Sequence, residues 1–176
     1  MFDGHTKGRA RGSYVEPFAT TGIGRGLRFN NPFRLETQLG DDAESLSLTA
    51  TYLDFGLGTA FGDPSGFRHG AVVHFSIALD GISQEVVTPA YTLIHPLFAD
   101  LAAYARAGFP IVLEPDVAGG VELAAGAVWF VTAGAGVSAE LIGNLFFGAA
   151  TWERDPSMIP IASLQLGLWF EYEVLP

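Results

Sequence analysis

From Val121 onward, apolar residues fall on every second position. Val121, Leu123, Ala125, Ala127, Trp129 and Val131 form one set, and Glu122, Ala124, Gly126, Val128 and Phe130 form the other. After Thr132-Ala133-Gly134 the alternation resumes, with Ala135, Val137, Ala139, Leu141, Leu145 and Phe147 against Gly136, Ser138, Glu140, Ile142, Asn144 and Phe146. A period of two is that of a β-strand, so the stretch predicts a hairpin with one apolar face. The run from Gly120 to Gly148 is long enough for a membrane-spanning helix. Its interior glycines, each costing a helix roughly 1 kcal/mol relative to alanine, and its two glutamates argue against one.

The same alternation recurs along the chain. Ala71, Val73, Phe75, Ile77 and Leu79 oppose Gly70, Val72, His74, Ser76, Ala78 and Asp80. Leu101, Ala103, Ala105, Ala107, Phe109, Ile111 and Leu113 oppose Ala102, Tyr104, Arg106, Gly108, Pro110 and Val112. At the C-terminus Ala162, Leu164, Leu166, Leu168, Phe170, Tyr172 and Val174 oppose Ser163, Gln165, Gly167, Trp169, Glu171 and Glu173. Two further segments, Leu27 to Leu39 and Tyr52 to Phe61, share the pattern, with Pro32 weakening the first. Glu85 to His95 is strand-like, but its two faces are too similar to orient. The strands are therefore expected near 26–39, 45–61, 69–80, 85–95, 98–113, 119–131, 134–147 and 160–174. Ala99 to Gly108 has helix-forming composition, yet a strand there sends Tyr104 and Arg106 together to the polar side. An even number of strands suits a closed up-and-down barrel with both termini at one end. The acidic connections GDDAE, LDGISQ and EPDVAGG and the long ATWERDPSM then share the other end.

Composition decides which face is wet. Only 16% of the 176 residues are charged and 49% are hydrophobic, against roughly 25% charged in typical soluble domains. The charged alternates are too sparse to clothe an exterior, whereas small residues and a few charges fill a narrow lumen well. Apolar stripes then face lipid, and pairing all around a closed barrel satisfies the backbone there. The fold class is all-β, a transmembrane barrel of eight strands over residues 14–176. Residues 1–13 read as a flexible basic tail. Residues 1–25 show no clear face, and SYVEPFATTGIG offers either an extension of the first strand or a total of ten. No apolar run follows Met1, so no signal peptide is read at the start. A net charge of −10 excludes nucleic acid as a partner, since phosphates call for a clustered basic surface, and the absence of cysteine excludes disulfides and thiolate metal sites.

With these stripes and the terminal strand LQLGLWFEYEVLP, the chain resembles the small eight-stranded outer-membrane barrels of Gram-negative bacteria, the OmpA transmembrane domain and the OmpX and OmpW types. The terminal strand resembles their assembly signal, although it ends Val-Leu-Pro where theirs usually ends on Phe or Tyr. The resemblance implies residence in the bacterial outer membrane. The partners it implies are lipid and lipopolysaccharide, the insertion machinery, and a protein met through the loops. Phe29, Phe61, Phe109, Phe147, Trp152 and Tyr172 are candidates for the aromatic girdles at the two interfaces.

Facing inward, Arg28, Arg34, Glu36, Asp54, His74, Arg106, Glu122, Glu140, Glu171 and Glu173 form the candidate site. Buried charges must be paired, so we expect a network centred on Arg106 with Glu122 on the next strand and Glu140, Glu171 or Asp54 nearby. That network reads as a structural plug, with a narrow pore through the same residues as the alternative and a soluble ligand-binding barrel as a further one. His74-Phe75-Ser76 resembles the His-x-Ser pair of some outer-membrane lipid A deacylases. Activation of a serine by histidine and a carboxylate would make such a pair a nucleophile. The phase argues against it, because a lipid-facing Phe75 turns both residues inward. His5, His69 and His95 are too scattered for a metal site, and no glycine loop suited to cradling a phosphate opens a helix. No cofactor is implied.

Overall fold

The computed structural model describes residues 14–29, 46–81, 83–114, 117–147, 158–172 and 174. Ten strands account for most of them: β1 (Tyr14–Arg28), β2 (Ser47–Leu48), β3 (Tyr52–Gly62), β4 (Arg68–Ala78), β5 (Glu85–Pro96), β6 (Leu101–Gly108), β7 (Ile111–Glu114), β8 (Ala118–Thr132), β9 (Ala135–Phe147) and β10 (Met158–Glu171). All pair antiparallel with neighbours in one sheet, and the pairing of β10 with β1, from Phe18↔Glu171 to Arg28↔Ile161, closes it into a barrel. β7 continues β6 past Phe109-Pro110, and β2 precedes β3 on the same side of β1, so the ten strands make eight staves. Closure leaves no free sheet edge, which is what permits strands in hydrocarbon.

Alternation sets the two surfaces. Leu57, Val73, Leu123, Leu141, Leu164 and Leu166 are exposed on the outside, while Asp54, His74, Arg106, Glu122, Glu140 and Gln165 are buried within. The ambiguous strand β5 is oriented by its register: Thr88 and Thr92 are buried and Tyr91 is exposed. Ala99 to Gly108 contributes strand β6, not a helix, and Tyr104 and Arg106 both point inward.

The first strand departs from expectation. It runs from Tyr14 to Arg28 rather than 26–39, and most of the expected segment, like the basic tail, lies outside the described residues. Tyr14 to Gly24 of SYVEPFATTGIG lengthen the first strand at its start, ahead of Gly26 to Arg28 of the expected segment, and the staves stay at eight. Its alternation was hidden because neither face is uniformly apolar. Tyr14, Glu16, Phe18, Gly22, Gly24 and Gly26 are buried, and Pro17 and Arg25 share the outer face with Val15, Ile23 and Leu27.

The turns explain themselves locally. At the β3–β4 connection the Asp63 carboxylate accepts from the Ser65 amide (2.9 Å) and hydroxyl (2.6 Å), a side-chain mimic of a backbone turn. Gly81, at φ +73°, supplies the left-handed residue of the β4–β5 turn. The connections at 63–67, 97–100 and 133–134 lie at the end where β1 starts and β10 finishes, and the connections after β1, β4, β7 and β9 lie opposite. Phe147 stands 10 residues above Val137, the cross-strand partner of Trp129. At about 3.4 Å per residue and a tilt of about 40° that is roughly 26 Å. This matches the apolar band of a transmembrane barrel. At the lower border the Trp129 indole N–H donates to Asp100 (3.0 Å), and Phe61 and Tyr172 are exposed near it. Phe29, Phe109 and Phe147 are exposed at the upper border. Trp152 lies outside the described residues.

Candidate functional site

The lumen is built in layers. Across it, bulky inward side chains lie over inward glycines of a neighbouring strand: a Cβ on Gly24 would meet the Tyr52 ring at 2.3 Å, on Gly58 the Phe18 ring at 2.5 Å, and on Gly126 the Tyr104 ring at 2.6 Å. Glycine at these positions is therefore a matter of space, since an eight-stranded interior holds side chains and little else.

At the terminal end, Arg68 pairs directly with Glu16 and lies 3.7 Å from Glu171. Above this, Trp169 stacks on Phe18 with ring centroids 4.7 Å apart and meets Tyr104 at 5.2 Å. Ala60, Val72, Ile94, Ala102 and Val128 complete an apolar plug around the three rings. The Trp169 indole N–H donates to Glu171 (3.2 Å), tying the two layers together.

The middle layer follows from register. Asp54 is the cross-strand partner of Ser76, and His74 is paired one step along with Gly56. One Asp54 oxygen accepts from the Ser76 hydroxyl (2.6 Å) and the other contacts His74 Nδ1 at 2.7 Å. Arg106 is hydrogen-bonded to His74 Nε2. A guanidinium only donates, so Nε2 accepts and the ring proton sits on Nδ1, directed at Asp54. Arg106 also lies 3.1 Å from Glu122 and 3.4 Å from Glu140, which flank it on β8 and β9. Gln165 Nε2 approaches Asp54 from β10 at 3.4 Å.

This order of contacts bears on nucleophilic chemistry. In a serine hydrolase the imidazole must receive the hydroxyl proton. Here Ser76 donates to the carboxylate and the far imidazole nitrogen is occupied by Arg106, so Asp54 stands between serine and histidine. Among the described residues no group of three or more His, Asp or Glu is arranged to hold a metal ion.

Above the middle layer the lumen opens into a cavity of about 90 Å³, lined among others by Arg28, Tyr52, Asp54, Glu122, Asn144 and Phe146. Arg28 Nε and Asn144 Oδ1 are buried without a hydrogen-bond partner among the described residues. A smaller space of about 20 Å³ lies below, between His74, Arg106 and Trp169.

Asp54, Arg106, Glu122 and Glu140 thus come together with His74 and Ser76, while Glu171 belongs to the separate Arg68 cluster and Arg28, at the upper end, makes no ion pair among the described residues. Arg34, Glu36 and Glu173 lie outside the described residues. Glu16, Arg68 and the aromatic plug were not anticipated. Extending the alternation of Gly70, Val72 and His74 back by one step would have placed Arg68 inside; Glu16 sits on the strand whose faces are hard to read.

No protein-family model matches the chain, and no curated protein sequence matches it. Solved structures do. The chain is similar to the N-terminal β-barrel domain of Pseudomonas aeruginosa OprF (13% identity, 89% of this chain and 97% of that one, TM-score 0.51). It is also similar to Ail, the attachment invasion locus protein of Yersinia pestis (8%, 89% and 98%, TM-score 0.54), and to Neisserial surface protein A (10%, 92% and 99%, TM-score 0.50). The class defined is the closed eight-stranded barrel of the small outer-membrane proteins, and at these identities the likeness is one of fold.

Proposed function

We propose that the protein is an integral outer-membrane barrel with a structural or interaction role, its lumen blocked to ions and its surface in contact with lipid and lipopolysaccharide. The observation that carries this reading is the division of side chains: exposed Leu, Val and Phe cover the outside over a band of membrane height, while Glu16, Asp54, Arg68, Arg106, Glu122 and Glu140 are buried within. Water would favour the reverse. The fold likeness to OprF, Ail and Neisserial surface protein A supports the outer membrane as its location, with the connections after β1, β4, β7 and β9 facing outward as in other such barrels. The terminal strand supports recognition by the insertion machinery.

Blockage is supported by the Phe18, Tyr104 and Trp169 layer, and a non-enzymatic role by the placement of Asp54 between Ser76 and His74. The protein should require detergent for extraction and migrate differently on gels before and after boiling. A freely soluble monomer would overturn the reading. In planar bilayers it should give no steady single-channel current, and large currents would favour a pore.

A further inference from the structure

In an antiparallel ladder, residues facing each other on a bonded row exchange two hydrogen bonds, one in each direction. The stave made of β6 and β7 departs from this on both flanks. On the β5 side the Phe109 amide donates to the Pro89 carbonyl (3.0 Å), but proline has no N–H to return a bond to the Phe109 carbonyl. On the β8 side the Gly120 amide donates to the Pro110 carbonyl (2.9 Å), and Pro110 likewise offers no donor to the Gly120 carbonyl. Pro17 and Pro160 accept the same one-sided bonds from the Tyr172 and Phe29 amides. Those two lie just beyond the β1–β10 register, which runs from Phe18↔Glu171 to Arg28↔Ile161, where the ladder has ended. Pro89 lies in the middle of β5, and Phe109-Pro110 is the break between β6 and β7.

Above the break β7 is held by little. Among the described residues it pairs with β5 at Val87↔Ile111, Val86↔Val112 and, after a register shift, Glu85↔Glu114, and with β8 at Ile111↔Gly119 and Val112↔Ala118. The outward Ile111 therefore faces a glycine on one side, which gives it no cross-strand side-chain partner there. At the tip of β7 two glutamates stand directly opposite, a destabilising pair. Few bonds and sparse packing are the marks of a segment that opens independently of its surroundings. Opening the wall elsewhere would unpair carbonyls that hydrocarbon cannot satisfy; beside Pro89 and Pro110, two have already lost their ladder donors.

We propose that residues 111–114 form a strap, hinged at Phe109-Pro110, that detaches from β5 and β8 and returns while the rest of the barrel stays closed. Pro110, Val86 and Thr88 line the upper cavity, so the strap belongs to the cavity's side wall. β5 itself stays in place, because Thr88 and its neighbours are paired with β4 in an unbroken register from Arg68↔Ile94 to Ile77↔Glu85.

The strap is a property of the barrel wall and holds whatever the membrane in which the barrel resides. The test is amide hydrogen exchange of the full chain in detergent micelles, read residue by residue by NMR. The amides of Ile111 and Val112 should exchange about tenfold faster or more, the effect of two missing wall bonds, than those of Thr88 on β5 and Ile161 near the upper end of β10. Pro89→Ala and, separately, Pro110→Ala each restore one N–H to the wall. Each should slow Ile111 and Val112 by about two- to tenfold, the scale of one hydrogen bond, and leave Thr88 and Ile161 unchanged. Heat-dependent gel migration shows that a variant still forms the barrel, and either variant suffices should the other fail to fold. Equal exchange at all four amides of the parent protein would overturn the proposal. So would a folded variant in which Ile111 and Val112 are not slowed, or in which all four amides slow alike. None of these results bears on extraction from the membrane.

Discussion

Below His74 the lumen is filled by Trp169, Phe18, Tyr104 and a ring of small aliphatic side chains, ending in the Arg68–Glu16 pair. Above it, Arg28, Tyr52 and Asn144 border open space. Both halves are enclosed by the same staves with the same alternation, so the contrast arises from side-chain size and pairing. β1 shows it in one strand: its buried positions run Tyr14, Glu16 and Phe18 at the terminal end and Gly22, Gly24 and Gly26 toward the other. Large inward residues close a barrel of this girth. Glycines let the side chains of Gln165, Tyr52 and Ser163 fold back against the strand and leave room above the Arg106 layer.

The most severe way to break this arrangement is at the layer where the halves meet. Arg106→Ala removes the cation facing both Glu122 and Glu140, and stranding buried carboxylates costs about 3–5 kcal/mol. Denaturant unfolding of the barrel in detergent or lipid should register that loss. A change under about 1 kcal/mol would mean that the layer is well hydrated.

Trp169→Ala tests the lower half and should cost about 3 kcal/mol through lost ring packing. It should also produce ion currents in planar bilayers that the parent protein lacks. Tyr52→Ala, in the upper half, should leave the current at zero because the plug beneath it is intact. Equal conductance in both variants would remove the distinction between the halves.

A smaller effect is expected from Ser76→Ala, which deletes the hydroxyl bond to Asp54 and should cost about 1 kcal/mol. Lipid A profiles of cells carrying the variant and the parent should be identical. Loss of an acyl chain that depends on Ser76 would restore the hydrolase reading.

The smallest effect lies outside the membrane band, at Asp80. Its carboxylate accepts hydrogen bonds from Thr51, with the backbone amide at 2.9 Å, and these hold its pKa below the ordinary carboxylate value. A depressed folded pKa stabilises the fold above the unfolded value and loses that contribution as pH falls through the folded one. Asp80→Asn should therefore flatten the acid side of a stability–pH curve slightly and leave neutral pH almost unchanged. A steeper acid limb in the variant would contradict the assignment.

Much of this fold was legible in the chain itself. A period of two is enforced by the pleat, so Leu101 to Leu113, Val121 to Val131 and Leu164 to Phe170 displayed their outer faces without any knowledge of neighbours, and the scarcity of charge said which face was dry. Placement of Arg106 and Glu122 on adjacent staves followed from chain order and hairpin connectivity. The first strand was not legible, because its inward face mixes aromatic residues with glycine and its outer face includes Pro17 and Arg25. Tertiary structure alone decided the vertical register around the closed barrel. Only that register sends Glu171 to Arg68 rather than Arg106, sets Asp54 between Ser76 and His74, brings Trp169 onto Phe18, and leaves Arg28 facing an open cavity. Alternation tells which side of a strand a residue occupies; its height beside residues distant in sequence depends on how the staves stagger when β1 meets β10.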